Sequence, residues 1–140
     1  MTKGIPDERS LVKLLWKSGF AVLRSPASGA STKMPRPDII AGNSQKKVQF
    51  AIEVKTTHQE TLYIPQESIN QLVEFAQRFG CQPIVALRFK SSLKSWIFLQ
   101  PEQLMKTPAS NYKITLYKAQ GIGMDFKTLI REGMQTRLIS

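Results

Sequence analysis

Apolar residues along the chain recur with two periods, about 3.6 residues and two residues, and so divide it into helices and strands. Residues 6–17 carry the first helical pattern, with Pro6 and Asp7 in its first turn and Gly19 beyond its end. At about 100° per residue, Leu11, Val12 and Leu15 fall within about 60° of Glu8, while Ser10, Lys13 and Lys17 lie on the polar side. A strand is predicted over 20–25, then a loop over 26–36. A hairpin follows, turning at Gly42-Asn43, with a short strand end at 62–64. The second helix spans 65–79 and stops at Gly80, with Ile69, Leu72, Val73 and Ala76 as its core stripe. Strands at 82–90 and 95–100 are rich in Ile, Val, Phe and Trp and pair as a hairpin. A short helix at 101–106, an edge strand at 112–119 guarded by Lys113 and Lys118, a C-terminal helix at 125–133 and a basic tail complete the chain.

The densest information lies in PDIIAGNSQKKVQFAIEVK, residues 37–55. In its second strand Val48, Phe50, Ile52 and Val54 share one face, and Gln49, Ala51, Glu53 and Lys55 share the other. Glu53 and Lys55 are therefore neighbours about 7 Å apart along the strand. The hairpin folds Asp38 back beside Glu53. Glu8 stands in the middle of an apolar stripe, where an unpaired carboxylate would cost several kcal/mol. It either frays into solvent at the helix end or is a third acid aimed at the same spot.

Charge changes the picture next. Twenty Lys and Arg face ten Asp and Glu, for a net charge of +10, which points to a polyanion, nucleic acid before an anionic membrane. The loop PASGASTKMPR offers Lys33, Arg36 and serine hydroxyls to a phosphate backbone and contains no acid. One cysteine, Cys81, excludes an internal disulfide, and one histidine, His58, excludes a histidine-built zinc site or a Ser-His-Asp set. There is no membrane-length apolar run, no secretory signal pattern and no Gly-rich nucleotide loop, so a soluble, cytoplasmic, DNA-associated protein without a nucleotide cofactor is expected. With 140 residues, a single domain (1–140) is expected, leaving no room for a separate recognition module.

Asp, Glu and Lys converging on one point of a sheet match a hard divalent cation held by carboxylate oxygens. Asp38 and Glu53 are the primary ligands, Glu8 a third candidate, and the backbone carbonyl of Val54 a natural addition. The expected cofactor is Mg2+, with Mn2+ as a substitute. Such a cation would polarise a phosphodiester and activate water, with Lys55 countering charge on the phosphoryl oxygens or orienting the water.

Together, ERSLVKLLWKSGFAVLRSPASG, PDIIAG, FAIEVKTT and LVEFAQRFG resemble the archaeal Holliday junction resolvases of the PD-(D/E)xK nuclease superfamily over nearly the whole chain, least after about residue 112. The resemblance implies an α/β fold with a restriction-endonuclease-like core, a central mixed β-sheet flanked by helices. It implies metal ligation by Glu8, Asp38 and Glu53, with Lys55 as catalytic lysine. Arg9 and Arg24 match arginines needed for activity and DNA contact, and Ser28 matches a serine of the loop that reaches the junction. Phe75 and Phe79, which widen the apolar arc of the second helix, match aromatic positions at a two-fold dimer interface. The implied function is resolution of four-way DNA junctions by paired nicks in a homodimer. Another endonuclease on the same core, or a non-catalytic DNA-binding protein, are the alternatives.

Overall fold

The computed structural model describes residues 5–26, 34–91 and 95–131. Helix α1 (Ile5–Lys17) buries Leu11 and Leu15 completely, one turn apart, as the helical period requires. It ends where Gly19 adopts φ 95, a left-handed conformation that glycine enters without strain. A side chain there would also meet the Asn43 amide, because the Cβ position lies 3.1 Å from its Nδ2.

From there the chain enters a five-stranded mixed sheet. Strands β1 (Ala21–Arg24), β2 (Ile39–Asn43) and β3 (Val48–Thr57) run antiparallel in that order. Next, β4 (Thr61–Ile64) and helix α2 (Gln66–Phe79) carry the chain over to β5 (Gln82–Phe89), which lies parallel to β3. β6 (Ile97–Leu99) closes the far edge antiparallel to β5, the predicted hairpin. With neighbours on both edges, β3 is the central strand. Both its faces are covered, by two cores. Phe50, Ile52 and Val54 pack with Leu11, Leu15, Ile84 and Trp96 beneath α1. Ala51 packs with Val85, Leu87 and the buried stripe Ile69, Leu72 and Ala76 of α2. This is the predicted architecture of a central mixed sheet flanked by helices.

Three local expectations are corrected. Gly42 and Asn43 are not the hairpin turn but the last residues of β2, paired with Gln49 and Val48; the turn occupies residues 44–47. Asn43 initiates it instead of occupying its centre. Its Oδ1 accepts from Lys46 N at 2.9 Å, and its Nδ2 donates to Gly19 O at 2.9 Å. Residues 101–106 form a 3-10 turn, Pro101–Gln103, followed by the two-residue strand β7 (Met105–Lys106). Residues 112–119 do not form one edge strand. β8 (Tyr112–Thr115) lies between β4 and β7 in a second, three-stranded sheet, and helix α3 (Leu116–Ile122) begins directly after it. Thr115 makes the switch, its hydroxyl accepting from Lys118 N at 3.1 Å as a helix cap. Lys118 thus lies on a helix and guards no strand. Residues 126–131 are helical, and the predicted tail lies outside the described residues. Among the described residues no helix is long and apolar enough to cross a membrane.

Candidate active site

The register of the hairpin sets the site. Ile39 opposes Ile52, so the residue before β2, Asp38, falls beside Glu53. Beyond that point β3 runs on towards Thr57 paired with β5 alone, and the Val54 N–H has no strand partner on the β2 side. Asp38 fills the gap, its Oδ2 accepting from Val54 N at 2.7 Å. In a strand the N–H and C=O of one residue face the same neighbour, so the Val54 carbonyl is directed to the same edge. Asp38 is also fixed from β1, because its backbone oxygen accepts from Ser25 N at 2.9 Å and the Ser25 hydroxyl donates to the carbonyl of Pro37. Two residues along β3 from Glu53, Lys55 brings its Nζ to 3.3 Å from Glu53 Oε2. Glu8 comes from α1, 3.9 Å from the Nε of Arg24 at the end of β1. Asp38, Glu53, Lys55, Glu8 and Arg24 therefore gather at one end of the sheet.

Their electrostatics are coupled. Burial, then the negative charge of Asp38, pushes the Glu53 carboxyl up to about 7 against the opposing pull of Lys55. Burial likewise raises Asp38, opposed by the Val54 hydrogen bond and by Lys55. Glu8 is raised by burial and then by Asp38, with Arg24 working against the shift. Each acid makes ionisation of the next harder, and a divalent cation would relieve all three at once. Among the described residues, no three Asp, Glu, His or Cys side chains already close into a metal cluster. The donor chemistry nevertheless fits a hard cation. Two adjacent, desolvated carboxylates form the pair, a main-chain carbonyl faces them, and Glu8 is turned to Arg24 at their side.

One functional neighbour escaped sequence reasoning. Asp7 is 5% exposed, with Arg88 Nη1 at 3.2 Å from its Oδ1 and Lys90 Nζ at 2.7 Å from its Oδ2. The Arg88 guanidinium also lies 3.4 Å from Ser10 Oγ and stacks 4.2 Å over the ring of Trp96. Of two adjacent acids on α1, then, Asp7 is held by cations from the end of β5 and Glu8 is left to the site. The signal was present in the spacing: Asp7, Leu11 and Leu15 form a single i, i+4 row, and all three are buried.

Arg9 and Arg36 are exposed, and Ser28 and Lys33 lie outside the described residues. His58 is exposed, Trp96 is packed, and Cys81 is half-buried. Phe75 and Phe79 stand together on α2, ring centroids 5.5 Å apart and nearly parallel, with Phe79 52% exposed. They belong to a different surface from the acids.

Compared with known proteins, residues 1–138 match the family described as archaeal Holliday junction resolvase (Hjc). The chain belongs to this family. Among the archaeal resolvases it is 42% identical to the crossover junction endodeoxyribonuclease Hjc of Archaeoglobus fulgidus over 113 residues, 81% of this chain and 79% of that one. It is 38% identical to the Hjc of Sulfolobus acidocaldarius, over 93% of this chain and 87% of the relative. The solved structure of Archaeoglobus fulgidus Hjc, a Holliday junction resolvase, superposes with a TM-score of 0.77 at 35% identity, covering 88% of this chain and 96% of that one.

Proposed function

We propose that the chain is a structure-selective DNA endonuclease that resolves four-way junctions by hydrolysing one phosphodiester in each of two opposing strands. The observation that carries this reading is the half-buried Asp38–Glu53 pair with Lys55 Nζ 3.3 Å from Glu53, in a chain of the resolvase family with a net charge of +10. Asp38, Glu53, Glu8 and the Val54 carbonyl would hold Mg2+, or Mn2+ in its place. When bound, the cation supplies Lewis-acid activation of the phosphodiester and of water.

The remaining work falls to the chain itself. Glu53 anchors the Lys55 ammonium, which faces the phosphoryl oxygens and stabilises the charge that builds on them during in-line attack. The Val54 N–H fixes Asp38 in one orientation, so the carboxylate is preorganised at no cost during reaction. Arg24 balances Glu8 and, with Arg9, Ser28, Lys33 and Arg36, contacts the phosphate backbone. Such contacts read shape and charge, which suits a substrate defined by its branching and not by its bases.

The enzyme acts as a homodimer through Phe75 and Phe79. A two-fold assembly presents two identical sites to opposing strands of a two-fold junction.

The decisive experiment offers a synthetic mobile four-way junction and a linear duplex of matched sequence, each with and without Mg2+. Symmetric nicks in opposing strands of the junction alone, dependent on the metal, are expected. Comparable cutting of the duplex would identify a different endonuclease on the same core. Binding without cutting would identify a non-catalytic DNA-binding protein.

A further inference from the structure

We infer that the outer face of α1 is a track for the sugar–phosphate backbone of one duplex arm, with Lys13 and Lys17 as contacts beyond Arg9. Arg9, Lys13 and Lys17 recur every four residues, so they stand in one row along the helix, about 6 Å apart in axial rise. All three are exposed, and with Pro6, Ser10 and Leu14 they line a single surface groove. Within the described residues none has a carboxylate in ion-pair reach. The only ion pairs there are Arg24–Glu8, Lys55–Glu53, Arg78–Glu74, Arg88–Asp7 and Lys90–Asp7.

The two acids of α1 are both turned elsewhere, Asp7 to β5 and Glu8 to Arg24. No negative charge therefore interrupts the row. The contrast with α2 is informative. There Glu74 pairs with Arg78 at 3.1 Å and Glu67 accepts from the neutral Gln71 at 3.2 Å, so that face carries acids and its one arginine is paired. Other cations also lie outside these ion pairs, but on α1 three of them stand in line on one helix face, and such a row complements a row of phosphates.

The track begins at Arg9, one residue from Glu8, and runs about 12 Å away from the acids. Its occupant is accordingly duplex leading away from the cut, and the contact is blind to both sequence and branching. This assignment rests on the reading of the chain as a junction nuclease, but it is tested by binding and not by cleavage.

Lys13→Gln combined with Lys17→Gln removes two exposed charges without disturbing the core. Equilibrium binding to the four-way junction and to the linear duplex, measured by fluorescence anisotropy across a salt series, gives the slope of log K against log salt. For the double variant that slope should become shallower by about two for each subunit on the DNA, for both substrates alike. A control with the same loss of net charge, Lys106→Gln with Lys118→Gln on the second sheet and α3, should keep the original slope. An unchanged slope in the Lys13/Lys17 variant overturns the track. An equal loss in the control means the charge acts diffusely, and overturns it as well. A loss confined to the junction overturns the assignment to a duplex arm. If wild-type protein failed to cut junctions while these slopes behaved as stated, the nuclease reading would fall and the track would stand.

Discussion

Glu53 is half-buried beside a second carboxylate, and desolvation and the Asp38 charge push it up to about 7, which makes the metal-free protein sensitive to pH. The folded state holds a proton there that the unfolded chain, with an ordinary glutamate near 4.5, gives up earlier. Between those values the native state binds more protons, so stability falls as pH rises from about 4.5 and levels off above about 7. Asp38 and Glu8 are shifted in the same direction and add to the trend. At roughly 1.4 kcal/mol per pKa unit, Glu53 alone is worth about 3 kcal/mol. Urea unfolding of the metal-free protein should therefore show lower stability at pH 8 than at pH 5. Glu53→Gln should remove most of that difference, and a flat wild-type profile would contradict the burial of this pair. The same residues carry a sharper prediction for activity. Asp38→Asn or Glu53→Gln should lower junction cleavage at least ~100-fold while gel-shift affinity for the junction is retained. Unchanged cleavage in either variant would remove that residue from the active site.

At the level of elements, α1 is fastened to the sheet by a contact that is ionic as well as apolar. Asp7 reaches Arg88 and Lys90 across 81 and 83 positions, joining the first turn of the helix to the end of β5. Removing one partner of a buried pair leaves charge uncompensated, at a cost of about 3–5 kcal/mol. Asp7→Ala should thus destabilise the protein by that order in chemical denaturation. A loss below about 1 kcal/mol would show that the pair is solvated.

This clamp also marks where sequence reading reaches its limit. Glu53 and Lys55 were legible together because strand alternation is local. Their meeting with Asp38 depends on register: a turn at Gly42-Asn43 would set Asp38 opposite Lys47, and the turn at 44–47 sets it beside Glu53. The partners of Asp7 are not local, and nothing in a helical pattern indicates which strand end will face it. The misreading of 112–119 has the same origin. Alternation continues past Thr115, but strand pairing requires neighbours, and β4 and β7 offer none beyond it. Once the ladder ends, the Thr115 cap makes helix the better use of the next backbone groups.

For the whole molecule the open physical question is what covers the aromatic pair on α2. The helix already buries Ile69, Leu72 and Ala76 within its own subunit; Phe75 packs against that core only in part, and Phe79 is exposed. Their stacked rings lie next to the Glu74–Arg78 pair, an apolar centre with a polar border, which is how a subunit interface is commonly built. Truncating two aromatic anchors in each of two subunits costs roughly 1–2 kcal/mol per ring, about 4–8 kcal/mol in all, enough to raise the dissociation constant about a thousandfold or more. Sedimentation of Phe75→Ala with Phe79→Ala should accordingly show monomer at concentrations where the wild type is dimeric. The consequence for catalysis is specific. A monomer retains Asp38, Glu53 and Lys55 intact, yet can nick only the strand it occupies, so a junction in a supercoiled plasmid should give nicked circles before linear product. A wild type that pairs as proposed should deliver both cuts in one encounter and yield linear product directly. Should the double variant sediment as the wild type does, or linearise the plasmid as directly, the two rings would have no part in holding the subunits together.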